Sequence, residues 1–179
     1  MKPTPEAAHA ALKEQLSLVI RTSHLASSKL GNKTVEARGP IPLYTGDVAH
    51  PGNFKNPKRV GWRYLLMEGD KPLATADLKQ ATNGKLVLLS LHYETAATHL
   101  HRALTQCDST TADSRELRLL VLPRLHAHVI WLFGKDQRFI VSHSHAMQAD
   151  QNQPLTKQDL TKFVVQRHTE IFERRRLTN

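Results

Sequence analysis

The sequence predicts an α+β domain: an antiparallel sheet, built from a β-meander and a second hairpin, with N-terminal, middle and C-terminal helices packed on it. Three observations carry that expectation. Gly69-Asp70 and Asn83-Gly84 punctuate residues 59–93 into three strand-like runs, and Asn-Gly is the preferred pair of a type I′ hairpin turn. Gly134-Lys135-Asp136-Gln137 separates two further apolar, β-branched runs within 115–142. Around and between these segments, apolar residues recur every three to four positions, the period of an amphipathic helix.

Residues 5–30 read as one long helix, with Thr4 as N-cap, Pro5 at the first helical position and Gly31-Asn32 as a left-handed stop. Residues 31–58 hold so many Gly and Pro that they read as a long loop interrupted by one short strand at 42–45. In the meander, alternation from the two turns places Leu65, Met67, Ala74, Ala76, Leu78, Val87, Leu89 and Leu91 on one face, the expected core. The opposite face shows Trp62, Tyr64, Leu73, Thr75, Asp77 and His92, with Leu66, Leu86 and Leu88 making it too apolar for full exposure. A terminal helix should cover it, or it should bind a partner. Asp77 reads there as a solvated strand residue. Residues 94–107 form the middle helix, with Cys107 on its apolar side. The last helix spans 156–176: Leu155 and Leu160 flank Thr156 as a hydrophobic staple, Asp159 sits at N3, and Arg174, Arg175 and Arg176 fall in the final turn.

Composition narrows the class. Of 179 residues, 40% are hydrophobic and 23% charged, with 8 Gly and 9 Pro, which excludes collagen-like, disordered and low-complexity chains and suits a single domain over 1–179. One cysteine allows no intramolecular disulfide, no C-x-x-C redox site and no thiolate zinc site. The first residues lack a signal-peptide pattern and no run approaches the roughly 18 apolar residues of a membrane span, so the expected location is cytoplasmic with no membrane partner.

Three function classes compete. An excess of 25 Lys and Arg over 16 Asp and Glu gives a net charge of +9, which favours an acidic partner. Phe54, Lys55, Lys58, Arg59, Trp62, Arg63 and Tyr64 interleave cations with aromatics, the composition of a surface that docks an acidic protein or stacks nucleic-acid bases. No RNA- or DNA-binding module pattern accompanies them. The 11 histidines include three H-x-H pairs. The pair on the middle helix, His99 and His101, diverges by about 200°. Simple hairpin register sets His128 opposite His143 and His126 opposite His145, a four-histidine plate suited to zinc, copper or nickel and to metal-assisted hydrolysis. Nucleophile-elbow, zincin, P-loop and dinucleotide-binding motifs are all missing from the sequence. The leading expectation is therefore a non-enzymatic assembly or immunity-type accessory module that docks an acidic protein; nucleic-acid binding and metal binding are the alternatives.

Overall fold

The computed structural model describes residues 4–46, 57–110, 115–144 and 154–177. In chain order these form α1 (Pro5–Thr22), α2 (His24–Leu30), β1 (Glu36–Thr45), β2 (Lys58–Glu68), β3 (Lys71–Gln80), β4 (Leu86–Tyr93), α3 (Thr95–Thr110), β5 (Glu116–Leu122), a 3₁₀ turn (Pro123–Leu125), β6 (Ala127–Phe133), β7 (Arg138–Ser144) and α4 (Lys157–Leu177). The fold is α+β, and the strands are hydrogen-bonded in the order β4-β3-β2-β1-β5-β6-β7. The sheet is mixed rather than purely antiparallel, because Leu43–Thr45 of β1 runs parallel to Leu119–Val121 of β5. The chain divides into two compact units, Met1–Pro42 with Val60–His101 and Leu43–Arg59 with Arg102–Asn179.

In the first unit the expected long N-terminal helix is two helices. Thr4 caps α1 by accepting from the Ala7 N–H at 3.3 Å. Ser23 then turns extended, and its hydroxyl caps α2 by accepting from the Ala26 N–H at 3.3 Å. A serine offers this alternative to continued helix, which is why the break falls there. Gly31 is not a left-handed stop; it keeps a helical φ of −59°. The expected loop at 31–58 yields the ten-residue strand β1. Pro40 and Pro42 hide it from sequence patterning, since neither has an N–H to give. They are two apart, so both missing donors fall on one side of the strand, and the pairing with β5 begins only beyond them at Leu43.

The meander forms at the expected turns, with Gly69 and Gly84 at positive φ of 57° and 82°. Two β-bulges change its faces. Next to the first turn Met67 pairs with Pro72, but beyond it Leu66 pairs with Ala74, so Leu73 is an extra residue. That one-residue slip turns Trp62, Tyr64 and Leu66 to the same side as Ala74, Ala76 and Leu78. α1 covers this side with Ala8, Leu12 and Leu16, and Leu86, Leu88, Leu91 and Tyr93 of β4 complete the cluster. The face expected to need covering is thus a core. Gly61 is required in β2, since a Cβ there would overlap the Leu78 carbonyl oxygen of β3.

Tyr64 is fully buried in this cluster, and its hydroxyl has no hydrogen-bond partner among the described residues. Burial pushes its pKa up to about 12. Between about pH 10, where the unfolded chain releases this proton, and about pH 12, the native state retains it, so stability falls as pH rises through that window. Tyr64→Phe should remove this part of the alkaline slope and leave neutral-pH stability unchanged or raised, because it deletes an unsatisfied buried group. Urea unfolding midpoints from pH 8 to 12 would show it; an unchanged slope in the variant would refute the assignment.

In the second unit, Leu120, Leu122, Val129, Trp131, Phe139 and Val141 form one face of β5-β6-β7, packed by Leu160, Phe163 and Val164 of α4. The staple and N-terminal cap of α4 form where the sequence places them. Leu155 joins the cluster beside Leu160. The Asp159 N–H donates to the Thr156 hydroxyl oxygen at 3.2 Å, while the Thr156 N–H and hydroxyl donate to the Asp159 carboxylate at 3.2 and 2.6 Å. These bonds hold the Asp159 pKa below its usual value. Ala97, Leu100, Ala103 and Cys107 of the middle helix are all buried. No described helix is long and apolar enough to cross a membrane.

Candidate functional site

Across β2, β3 and β4, on the side of the sheet opposite α1, lies a chain of polar groups. Arg63 grips Asp77 with a two-pronged bond, Nε to Oδ1 at 2.5 Å and Nη2 to Oδ2 at 2.7 Å. Both are buried, at 3% and 7% exposure. The Ser90 hydroxyl reaches Asp77 Oδ2 at 3.5 Å and His92 Nε2 at 3.1 Å, and His92 Nε2 stands 3.9 Å from the same carboxylate oxygen. Although the residue types are Ser, His and Asp, the arrangement is not a nucleophile triad. A triad aspartate holds one ring nitrogen so that the other faces the serine. Here serine and aspartate approach the same nitrogen, and both carboxylate oxygens already serve Arg63. The chemistry available is fixed charge and hydrogen bonding, not acyl transfer.

The second bulge sits beside this chain. Asp77 pairs with Ser90, but the next residue of β3, Leu78, pairs with Leu88, leaving Leu89 unpaired in β4. A bulge re-aims the extra side chain, and Leu89 is 64% exposed. Val87, opposite Lys79 in the ladder, is 44% exposed. The four apolar residues 86–89 therefore split: Leu86 and Leu88 pack under α1, while Val87 and Leu89 face solvent. Lys79, Lys85 and His92 are exposed around them. The result is a small apolar patch on an edge strand, framed by nitrogen bases, whose adjoining carboxylate is already neutralised by Arg63.

Sequence patterning placed Val87 and Leu89 in the core and missed this patch. One signal was available: a run of four apolar residues on a two-faced strand cannot point all of its side chains inward. Lys79 and Lys85 carry no motif that would have singled them out.

Of the basic-aromatic residues, Phe54 and Lys55 lie outside the described residues. Lys58 is exposed and Arg59 half-buried. Trp62 and Tyr64, at 5% and 0% exposure, belong to the α1 core, and Arg63 is committed to Asp77. These three offer no surface for base stacking, and Asp77 is a buried ion-pair partner rather than a solvated strand residue. Among the histidines, His128 and His143 do face each other across β6 and β7. They meet through a compensation. Near the hairpin Trp131 pairs with Phe139, one residue off the simple register, and an unpaired Ser142, whose hydroxyl donates to the His128 carbonyl at 3.1 Å, restores it. His126 leaves the ladder: it is exposed, with φ 47° and ψ 43°, capping the 3₁₀ turn. His145 lies outside the described residues. Among the described residues, no three His, Cys, Asp or Glu side chains converge as metal ligands do.

In the second unit an arginine, rather than a histidine, dominates the polar chemistry. The Arg118 guanidinium lies over the rings of Phe133, Trp131 and Tyr44, at 3.5, 4.9 and 5.1 Å from their centroids, and donates to Glu116 at 2.6 Å. That bond lowers the Glu116 pKa. Arg118 is already paired and stacked, so it reads as a structural anchor for the aromatic cluster.

Comparison with known proteins adds no functional assignment: no protein-family model, curated protein or solved structure matches the chain.

Proposed function

We propose that this protein is a non-enzymatic docking module that binds an acidic, partly apolar segment of a partner protein across the outer surface of β4. The observation that carries the reading is the bulge that turns Leu89 into solvent beside exposed Val87, with Lys79, Lys85 and His92 around the two. Exposed apolar side chains with a polar rim are the anatomy of a recognition surface, and a rim of one charge sign selects the opposite sign in the partner. The net charge of +9 speeds encounter with such a partner.

Extended peptides in which Glu alternates with Leu or Val test the reading, against matched peptides with Lys for Glu. Fluorescence anisotropy should show binding of the Glu series only, weakened by salt and reduced at least tenfold, about 1.4 kcal/mol, by Leu89→Asp or by Lys79→Glu with Lys85→Glu. Equal binding of both series, or affinity indifferent to Leu89→Asp, would contradict it. Binding of a single-stranded oligonucleotide in place of the peptides, lost on the same Lys replacements, would instead assign these cations to phosphate.

A further inference from the structure

β4 ends the strand order, and its outer edge is occupied over one half only. Gln15 of α1 takes the Leu86 carbonyl and the Leu88 N–H, so these two residues direct backbone groups outward. At the other end the Glu94 N–H donates to the Leu73 carbonyl of β3 at 2.9 Å, and Tyr93 pairs with Ala74. Backbone direction alternates along an antiparallel ladder, which turns the N–H and carbonyl of Leu91 and of Tyr93 away from β3. Among the described residues these outward groups form no hydrogen bond. The bulge at Leu89 separates the plugged half from the open half.

The open half has two unlike sides. On the side opposite α1 stand Leu89 and His92, with Lys79 and Lys85 beyond them. On the α1 side stands Leu18, 53% exposed. It lies three residues past Gln15, about 60° round the helix, and so on the same flank of α1. α1 begins beside the β3–β4 turn, where Ala7 and Ala11 share a cavity with Gly84 and Lys85. α2 follows it, and Lys29 of α2 pairs with Glu94 at 2.5 Å. α1 therefore runs in the direction of β4, and Leu18 comes after Gln15 on the way to Tyr93.

Resting on the β4 docking reading, we propose that the acidic partner segment adds as a further strand to this open edge. Its backbone bonds to Leu91 and Tyr93, its acidic side chains lie on the side of His92, and its apolar side chains lie on the side of Leu18. An unpaired edge is a template for another strand, and in strand addition main-chain bonds supply affinity while alternate side chains supply specificity. Side chains of a strand alternate in direction, so alternating acidic and apolar residues fill both sides at once. A second copy of this chain fits less well, because it sets Lys79, Lys85 and His92 against the same cations and +9 against +9.

Glu/Leu peptides N-methylated at every Glu, or at every Leu, test this on the full chain. Alternate N–H groups of a strand face opposite edges, so one methylated set meets β4 and the other meets solvent. Fluorescence anisotropy should show one set losing about tenfold or more in affinity, with the other set close to the unmethylated peptide. Loss on methylating Leu marks antiparallel addition, and loss on methylating Glu marks parallel addition. Leu18→Asp, at an exposed position, should weaken the unmethylated peptide about tenfold as well. Equal affinity of the two methylated sets, or binding indifferent to Leu18→Asp, would overturn strand addition; if Leu89→Asp still abolished that binding, the docking reading would stand without it. A dimer of the parent chain in sedimentation velocity, dissociated by the peptide, would assign the edge to a second copy and overturn the proposal.

Discussion

Asp77→Ala should destabilise the protein by about 3–5 kcal/mol, the largest effect expected of any single change on the sheet. A guanidinium group stays charged in proteins, and Arg63, at 3% exposure, cannot reach bulk water without disrupting β2. Removing the carboxylate therefore strips a buried charge of its two-pronged ion-pair partner. The converse holds for the pair as a whole: its Coulombic gain is offset by the desolvation of two ions, so Arg63→Met with Asp77→Leu should fall within about 1–2 kcal/mol of the parent on either side. Chemical denaturation of Arg63→Met, Asp77→Leu and the double variant closes the cycle, with Asp77→Ala measured beside them. A double variant as unstable as Asp77→Ala would show that the pair does more than satisfy itself, and a mild Asp77→Ala would show that the pair is solvated.

Gln15→Ala should cost about 1–3 kcal/mol and, in addition, expose an associating edge. β4 ends the strand order, so among the described residues no strand neighbours its outward backbone groups. The Gln15 side chain stands in for one: its amide nitrogen donates to the Leu86 carbonyl at 2.8 Å, and its amide oxygen accepts from the Leu88 N–H at 2.7 Å. Alanine frees both groups, and Gln15→Glu keeps the acceptor but loses the donor. The expected order of stability is parent, then Glu, then Ala, with concentration-dependent self-association in the Ala variant by sedimentation velocity. Equal stability of all three would mean that the edge needs no plug. The same plug limits backbone pairing by the proposed partner to the β4 edge from Leu89 onward, while Val87, Lys79 and Lys85 stay open to the partner's side chains.

The origin of these two effects shows what the sequence could and could not disclose. Turn chemistry was legible: Gly69-Asp70 and Asn83-Gly84 close their hairpins where alternation placed them, and Leu155, Thr156, Asp159 and Leu160 build the start of α4. Bulges were not legible, because a bulge is an outcome of how two strands fit and leaves no residue signature of its own. Simple register from the first turn sets Asp77 against Trp62, whereas the extra Leu73 sets it against Arg63. One residue of slip thus converts a solvated aspartate and a candidate base-stacking arginine into a buried ion pair. The second bulge does the same for the candidate site, carrying Leu89 from the expected core into solvent. The third shows the opposite outcome, since Ser142 cancels an initial offset and leaves His128 facing His143 as simple register had it. β1 escaped notice for another reason: Pro40 and Pro42 read as loop, although one side of a strand can spare their donors.

β4 outside the Gln15 plug is the proposed docking surface for an acidic segment. Hydrogen–deuterium exchange of the full chain, with and without the tightest-binding Glu/Leu peptide, tests it most directly. Exchange should slow only in β4 from Leu89 to Tyr93 and in the adjoining β3 residues, and this protection should be abolished in Leu89→Asp. Protection centred elsewhere, or unchanged exchange in β4 under saturating peptide, would contradict it.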